Sequence, residues 1–285
     1  MTEIRTIGVV GLGAMGGGIA QLAVEAGYET IGREVTQEFG DAAAARIGHF
    51  LTRKVEKGQL TADEREAAVA RLETTTDLEE FARCDLVIEA IIEELEPKRA
   101  LFAELDRICR PDAVLATNTS ALSVTEIAAA TTRPERVVGM HFFNPAPLMP
   151  LVEIVQAELT SEAAVAVAVE VGSRFGKEVV TCHDTPGFIV NRVLIPLLND
   201  CLRVLDEARV TPEALDVAMK NGAGWPMGPC ALVDLVGIDV HVHAAEALYA
   251  LTRDPRMAPP ARLMTINNAG LLGRKSGRGF YTYEG

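Results

Sequence analysis

Aromatic residues are scarce in this chain (5%, with a single Trp), cysteines number only 5 in 285 residues, and positive charge is outweighed: 27 Lys and Arg stand against 40 Asp and Glu, for a net charge of −13. Each shortage excludes something. So acidic a chain offers no basic surface to a nucleic acid and no polybasic patch to a membrane. An anionic ligand would have to be met by a local cluster of Lys or Arg set against the overall field. Cys84, Cys109, Cys182, Cys201 and Cys230 are scattered, with no CxxC pair and no His at metal spacing, and read as reduced core thiols in a reducing cytosol. No apolar run is long enough to span a bilayer. Residues 1–8 hold no charged segment leading into a long apolar one, so a secretion signal is not expected and a cytoplasmic location is. Internal repeats and low-complexity tracts are absent too. What is present is an ordinary globular composition, 48% hydrophobic and 24% charged, over a length that suits two domains better than one.

The first recognisable feature is a strand, a glycine loop and a helix in succession. Ile4 to Val10 is a short apolar run of the kind that forms a buried parallel strand. It leads into Gly11-Leu12-Gly13-Ala14-Met15-Gly16 and then into a helical pattern. In this GxGxxG arrangement Gly11 permits a tight turn, Gly13 lets backbone approach a pyrophosphate, and Gly16 lets helix pack on strand. Free N–H groups at the helix start would meet the phosphates. A second strand, Tyr28 to Arg33, ends at Glu34, and an acid there accepts hydrogen bonds from a ribose diol while repelling a 2′-phosphate. Glu34 therefore favours NAD over NADP, although Arg33 beside it could meet a 2′-phosphate. Gly32 is unusual inside a strand and points to close approach of the adenosine.

Residues 36–58 read as one helix, with Arg53 and Lys57 four apart on one face. Such a pair is either a solvated face or a site for an anionic tail. Thr61 to Glu64 is a capping box opening a further helix. Asp85 to Ala90 reads as a strand with Glu93 just past its end, where ligands collect in an open parallel sheet. Pro97 suits the first turn of a helix that also carries Lys98, a cation aimed towards the sheet edge. Ala113 to Ala116 is another strand, followed by the polar Thr117-Asn118-Thr119-Ser120; Ser123, three residues before Glu126, supplies a separate helix cap.

His141 follows the strand-like run Val137 to Met140 and stands before Asn144-Pro145, where proline enforces a turn. A second apolar run, Leu151 to Val155, carries Glu153. Two strands joined by a proline-rich turn would bring imidazole and carboxylate together, and a His oriented by a carboxylate makes a general base suited to neutral pH. A satisfied structural His with a solvated Glu153 is the plainer possibility. A helix (161–175) and a strand (Glu178 to Thr181) complete the α/β part. Beyond it Pro186 to Ala208 reads as one long helix kinked at Pro196, with Asn191 in its first turns opposite an apolar series of Ile189, Val193 and Leu197. The fold class is α/β, a Rossmann-type N-terminal domain over residues 1–184 with a mostly helical C-terminal domain over 185–285.

These motifs together resemble the 3-hydroxyacyl-CoA dehydrogenases, closest to the short bacterial 3-hydroxybutyryl-CoA type. The likeness covers essentially the whole chain. It rests on the glycine loop, Asn118-Thr119-Ser120, His141-Phe142-Phe143-Asn144-Pro145 with Glu153, Pro186 to Arg192, Pro226-Met227-Gly228-Pro229, and the tail Gly273 to Tyr281. The resemblance implies reversible hydride transfer between NAD and C3 of a 3-hydroxyacyl thioester. It implies His141 as general base, Glu153 as its partner, and Ser120 and Asn191 as hydrogen-bond partners of the reacting oxygen. By the same likeness Gly11, Gly13, Met15, Gly16, Glu34, Glu93, Lys98, Asn144 and Lys275 touch NAD, Arg53 and Lys57 bind the phosphates of coenzyme A, and the chain forms a homodimer through its helical domain. Ala121 and Gly32 depart from the family pattern and bear on substrate choice. Two other readings stay open: a substrate held on an acyl carrier protein, and a non-catalytic, crystallin-like NAD-binding protein.

Overall fold

The apolar run before the glycines forms β1 (Thr6–Val10), buried along nearly all its length, and the glycine-rich segment after it winds into α1 (Ala14–Glu25). The computed structural model describes residues 3–283, and the chain divides into two units that meet between Thr185 and Pro186. In the first unit β2 (Glu29–Arg33), α2 (Gln37–Glu56), α3 (Ala62–Ala70) and β3 (Leu72–Thr75) are followed by β4 (Leu86–Glu89), α4 (Leu95–Ile108), β5 (Val114–Thr117) and α5 (Val124–Ala128). Then come β6 (Val137–Phe142), β7 (Leu151–Gln156), α6 (Glu162–Arg174) and β8 (Glu178–His183). The strands make one eight-stranded sheet in the order β3-β2-β1-β4-β5-β6-β7-β8. Pairing is parallel except between β6 and β7, which run antiparallel.

Parallel pairing places the carboxyl ends of β1, β4, β5 and β6 on one edge. Chain order reverses between β1 and β4, so the crevice where such sheets take ligands opens beside the glycine loop. Alternate residues of β1, β4 and β5 (Ile7 and Val9, Leu86 and Ile88, Val114 and Ala116) share a core with Ile19 and Leu22 of α1, Ile47 and Leu51 of α2, and Val171 of α6. Local signals set the helix starts: Thr61 and Glu64 form a reciprocal capping box, and Ser123 accepts the Glu126 N–H at the start of α5. β3 has no counterpart in the sequence reading; it is short, half-buried and polar. β6 runs two residues beyond Met140, so His141 lies inside the strand.

The second unit holds α7 (Val190–Glu207), α8 (Pro212–Ala223), α9 (Pro229–Val236), α10 (Ile238–Thr252) and α11 (Ala261–Asn268). Its core joins Leu198, Leu202 and Leu205 to Leu215, Val233, Val242 and Leu263. Each fully buried Leu contributes about 1.5–3 kcal/mol relative to exposure. One expectation is corrected here. The long helix begins at Val190, not Pro186, because Gly187 (φ 80°) and Phe188 (φ 50°) take left-handed backbone conformations that no helix contains. The apolar series Ile189, Val193 and Leu197 lies at the surface: Val193 is 61% exposed and the other two about two-fifths. Exposed Val217, Leu235, Val240 and Leu251 extend this apolar surface character to α8, α9 and α10. Among the described residues all five cysteines are unpaired, and burial pushes the Cys182 thiol up to about 11. No helix among them is long and apolar enough to cross a membrane.

Candidate active site

Three glycines set the shape of the loop after β1. Gly11 has φ 86° and a Cβ there would lie 2.8 Å from the Ala90 carbonyl oxygen; a Cβ on Gly16 would fall 1.7 Å from the Gly11 oxygen. Around Gly13 nothing lies within 4 Å of the Cβ position, so this is the side from which a pyrophosphate can reach backbone. Gly13 is also the N-cap of α1 and, lacking a side chain, leaves the helix start uncapped by its own residue. Met15 sits half-buried in the first turn of that helix, packed on the core. The Glu34 carboxylate lies beside the loop and accepts the Leu12 N–H at 2.6 Å and the Val35 N–H at 3.1 Å. These residues fit a dinucleotide: open backbone donors at the helix start and an acid at the end of β2. Gly32 answers a packing demand: a Cβ there would lie 2.7 Å from the Leu12 side chain, which packs over β2.

His141 and Glu153 meet because of strand register. In the antiparallel β6–β7 pair they are direct partners. Nδ1 of His141 lies 2.6 Å from Oε2 of Glu153, and both side chains are buried. A carboxylate accepts, so Nδ1 carries the proton and, in the neutral ring, Nε2 carries the lone pair. The Phe143 ring packs beside the imidazole, centroid to centroid 4.5 Å. Asn118 continues the β5–β6 ladder with its side chain, accepting the Phe142 N–H at 3.0 Å and so fixing the residue after His141. Asn144 is exposed at the head of the connecting loop, before a cis peptide bond to Pro145. Lys177 holds that loop by donating to the carbonyls of Ala146 (2.7 Å) and Met149 (2.8 Å); burial, then the nearby Lys54 ammonium, lowers its pKa.

Ser120 follows β5, and one Glu93 oxygen accepts its N–H at 2.7 Å and its hydroxyl at 3.1 Å, together with the Thr119 hydroxyl at 2.7 Å. Burial opposes ionisation of Glu93, yet Lys98 and the Thr119 and Ser120 donors bring its carboxyl below the usual range. The Lys98 ammonium does not stand open at the sheet edge: it is 1% exposed, 2.5 Å from Glu89 and 3.3 Å from Glu93.

Arg53 and Lys57 are exposed at the end of α2, Lys57 as its C-cap. Arg46, seven residues before Arg53 and on the same helical face, was missed: its guanidinium donates to the Leu12 carbonyl at 2.6 Å and steadies the glycine loop. The spacing of 46, 53 and 57 was the available signal. Asn191 lies in the first turn of α7, and Lys275 pairs with Asp239 at 2.6 Å; both belong to the second unit.

The comparisons agree with this layout. Residues 6–185 match the family described as 3-hydroxyacyl-CoA dehydrogenase, NAD binding domain, and residues 187–283 the C-terminal domain of the same enzymes. A 3-hydroxybutyryl-CoA dehydrogenase of Mycobacterium tuberculosis is 45% identical over 282 residues, covering 98% of this chain and 99% of that protein. A probable 3-hydroxybutyryl-CoA dehydrogenase of Deinococcus radiodurans is 43% identical over 276 residues, 97% of this chain and 99% of the other. The crystal structure of the (S)-3-hydroxybutyryl-CoA dehydrogenase from Ralstonia eutropha superposes with a TM-score of 0.95 at 37% identity, covering 99% of this chain and 100% of that one. With both halves matched end to end and the glycine loop shaped for a dinucleotide, the chain belongs to the 3-hydroxyacyl-CoA dehydrogenase family and is an NAD-dependent enzyme.

Proposed function

We propose that the chain interconverts (S)-3-hydroxybutyryl-CoA and acetoacetyl-CoA, with His141 and Glu153 as its acid–base pair. The observation that carries this reading is the buried 2.6 Å contact between them at the sheet edge. Bound NAD supplies a nicotinamide ring that accepts or returns hydride at C3 of the acyl group. In the oxidative direction Nε2 of His141 takes the proton of the 3-hydroxyl, and Glu153 stabilises the imidazolium that results. In the reverse direction the same imidazolium gives the proton to the new alkoxide. Ser120 orients the reacting oxygen, and Asn191 keeps the substrate-binding role that the family likeness implies. Gly11, Gly13, Met15 and Gly16 hold the pyrophosphate and Glu34 the adenosine ribose. Glu93, Lys98, Asn144 and Lys275 complete the cofactor's surroundings, Lys98 through Glu93. The exposed apolar side chains of α7 to α10 support a homodimer formed through the helical unit, since free surfaces rarely carry so much apolar area without a partner. The unpaired, largely buried cysteines suit a cytoplasmic enzyme.

The direct test follows NADH absorbance with acetoacetyl-CoA. Turnover with NADH at a kcat/KM well above that with NADPH is expected; equal or better use of NADPH would remove Glu34 from its role, and no turnover with either would remove the substrate. Arg53 and Lys57 are assigned to the phosphates of coenzyme A. Replacing both with Ala should raise KM for acetoacetyl-CoA roughly tenfold with kcat similar, the pattern of lost uniform binding. The effect should shrink as salt rises, because exposed charges are screened. An unchanged KM would return both to the solvated face and favour an acyl group carried on a protein.

A further inference from the structure

Lys98 pairs with the fully buried Glu89 on one side and the half-buried Glu93 on the other, and the mechanism above uses only one end of this group. Glu89, the last residue of β4, is fully buried, as is the Lys98 side chain. Two acidic side chains bracket one lysine, an arrangement that contributes little to stability in itself and is costly to disturb. Its geometry suggests what it is for. One Glu89 oxygen accepts the Ile91 N–H at 2.7 Å and Lys98 Nζ at 2.5 Å; the other accepts the Thr117 hydroxyl at 2.7 Å. Lys98 then reaches Glu93, and Glu93 takes both the N–H and the hydroxyl of Ser120. On the other side Thr117 accepts the Thr119 N–H at 3.3 Å, and the Thr119 hydroxyl turns back to Glu93. The turn that carries Ser120 is therefore gripped along two routes, and both start at Glu89.

We propose that Glu89 is a positioning residue of the active site: through Lys98 and Glu93 on one side and Thr117 on the other, it fixes where the Ser120 hydroxyl stands. This rests on the role assigned to Ser120 above. The Ser120 N–H on Glu93 holds the turn, while the hydroxyl must rotate its one proton from Glu93 to the reacting oxygen in order to bind it, so the place of the turn decides whether that bond forms; a misplacement of about 1 Å can cost about 100-fold in rate. A displacement of the turn costs rate even though Glu89 itself touches no substrate.

A double-mutant cycle separates positioning from bulk structure. Glu89→Gln keeps the shape and several of the hydrogen bonds but removes the charge that balances Lys98. Under single-turnover conditions with NADH and acetoacetyl-CoA it should lower the rate about tenfold, with the NADH Kd (by fluorescence) and the KM for acetoacetyl-CoA changed less than about twofold. Placed on Ser120→Ala, the same change should cost less than about twofold, because the hydroxyl it positions is gone. Equal losses in both backgrounds, or no loss in the wild-type background, overturn the inference. Should Ser120→Ala itself keep the wild-type rate, the role of Ser120 falls, and the positioning of it falls as a consequence; that outcome is distinct from additivity. If Glu89→Gln does not fold, Thr117→Val, which removes only the hydroxyl bound by the second Glu89 oxygen, takes its place in the cycle with the same expected non-additivity.

Discussion

Two histidines are buried in this protein to almost the same degree, 4% exposed for His141 and 2% for His241, and their surroundings could hardly differ more. His141 stands in a strand of the first unit, its Nδ1 on a carboxylate. His241 stands in α10 of the second unit, its Nε2 at 2.9 Å from Oδ1 of Asn199. The Asn199 amide nitrogen already donates to the carbonyls of Arg256 and Met257, so its oxygen is an acceptor and His241 must be the donor. With no anion beside it, burial lowers the His241 pKa to about 4, which leaves the ring neutral across the physiological range. The difference teaches that burial alone makes a structural histidine. A carboxylate partner is what lets a buried imidazole accept charge during a reaction.

The largest effect should come from breaking the first pair at the ring. His141→Gln should keep NADH binding and lose roughly 100-fold or more in kcat, the usual worth of a positioned acid–base group. Retention of near wild-type kcat in both directions would end its role as the base. Glu153→Gln should cost less, about tenfold, and the double variant little more than His141→Gln alone, because the two act as one unit.

Much of this was legible from residue order. The glycine loop could be read because each glycine answers a local steric demand: a left-handed turn at Gly11, an open face at Gly13, contact of backbone with backbone at Gly16. The His141–Glu153 pair could be read because both lie in apolar runs separated by a proline turn, and an antiparallel hairpin supplies the rest. Long-range charge was not legible. Glu89 lies in an apolar run with nothing near it in sequence to mark its partners; that it meets Lys98 and Thr117 depends on how α4 and β5 return to β4. Nor does periodicity say what covers a face. Ile189, Val193 and Leu197 recur every four residues as a core stripe would, yet the structure leaves them exposed. The start of α7 was misplaced for a local reason: proline is welcome in a first helical turn, and nothing in Pro186-Gly187-Phe188 announces that two of the three take positive φ.

The smallest effect tests the second histidine and concerns stability, not rate. In the folded state His241 stays neutral down to about pH 4, whereas in the unfolded chain it takes a proton near its ordinary 6.5. Between these values the unfolded state binds one more proton, so stability rises with pH there and is lost as pH falls from about 6.5 towards 4. By pH 5 the cost is about 2 kcal/mol, given about 1.4 kcal/mol for each pH unit of that window. Thermal unfolding followed by circular dichroism at pH 7.5 and pH 5 should show the loss. His241→Gln, whose amide can donate to the same Asn199 oxygen, should reduce the pH dependence by that amount while leaving kcat with acetoacetyl-CoA within about twofold. If the variant unfolds with the same pH dependence as the wild type, His241 is charged in the folded protein, and the contrast between an imidazole with a carboxylate and one without it does not hold.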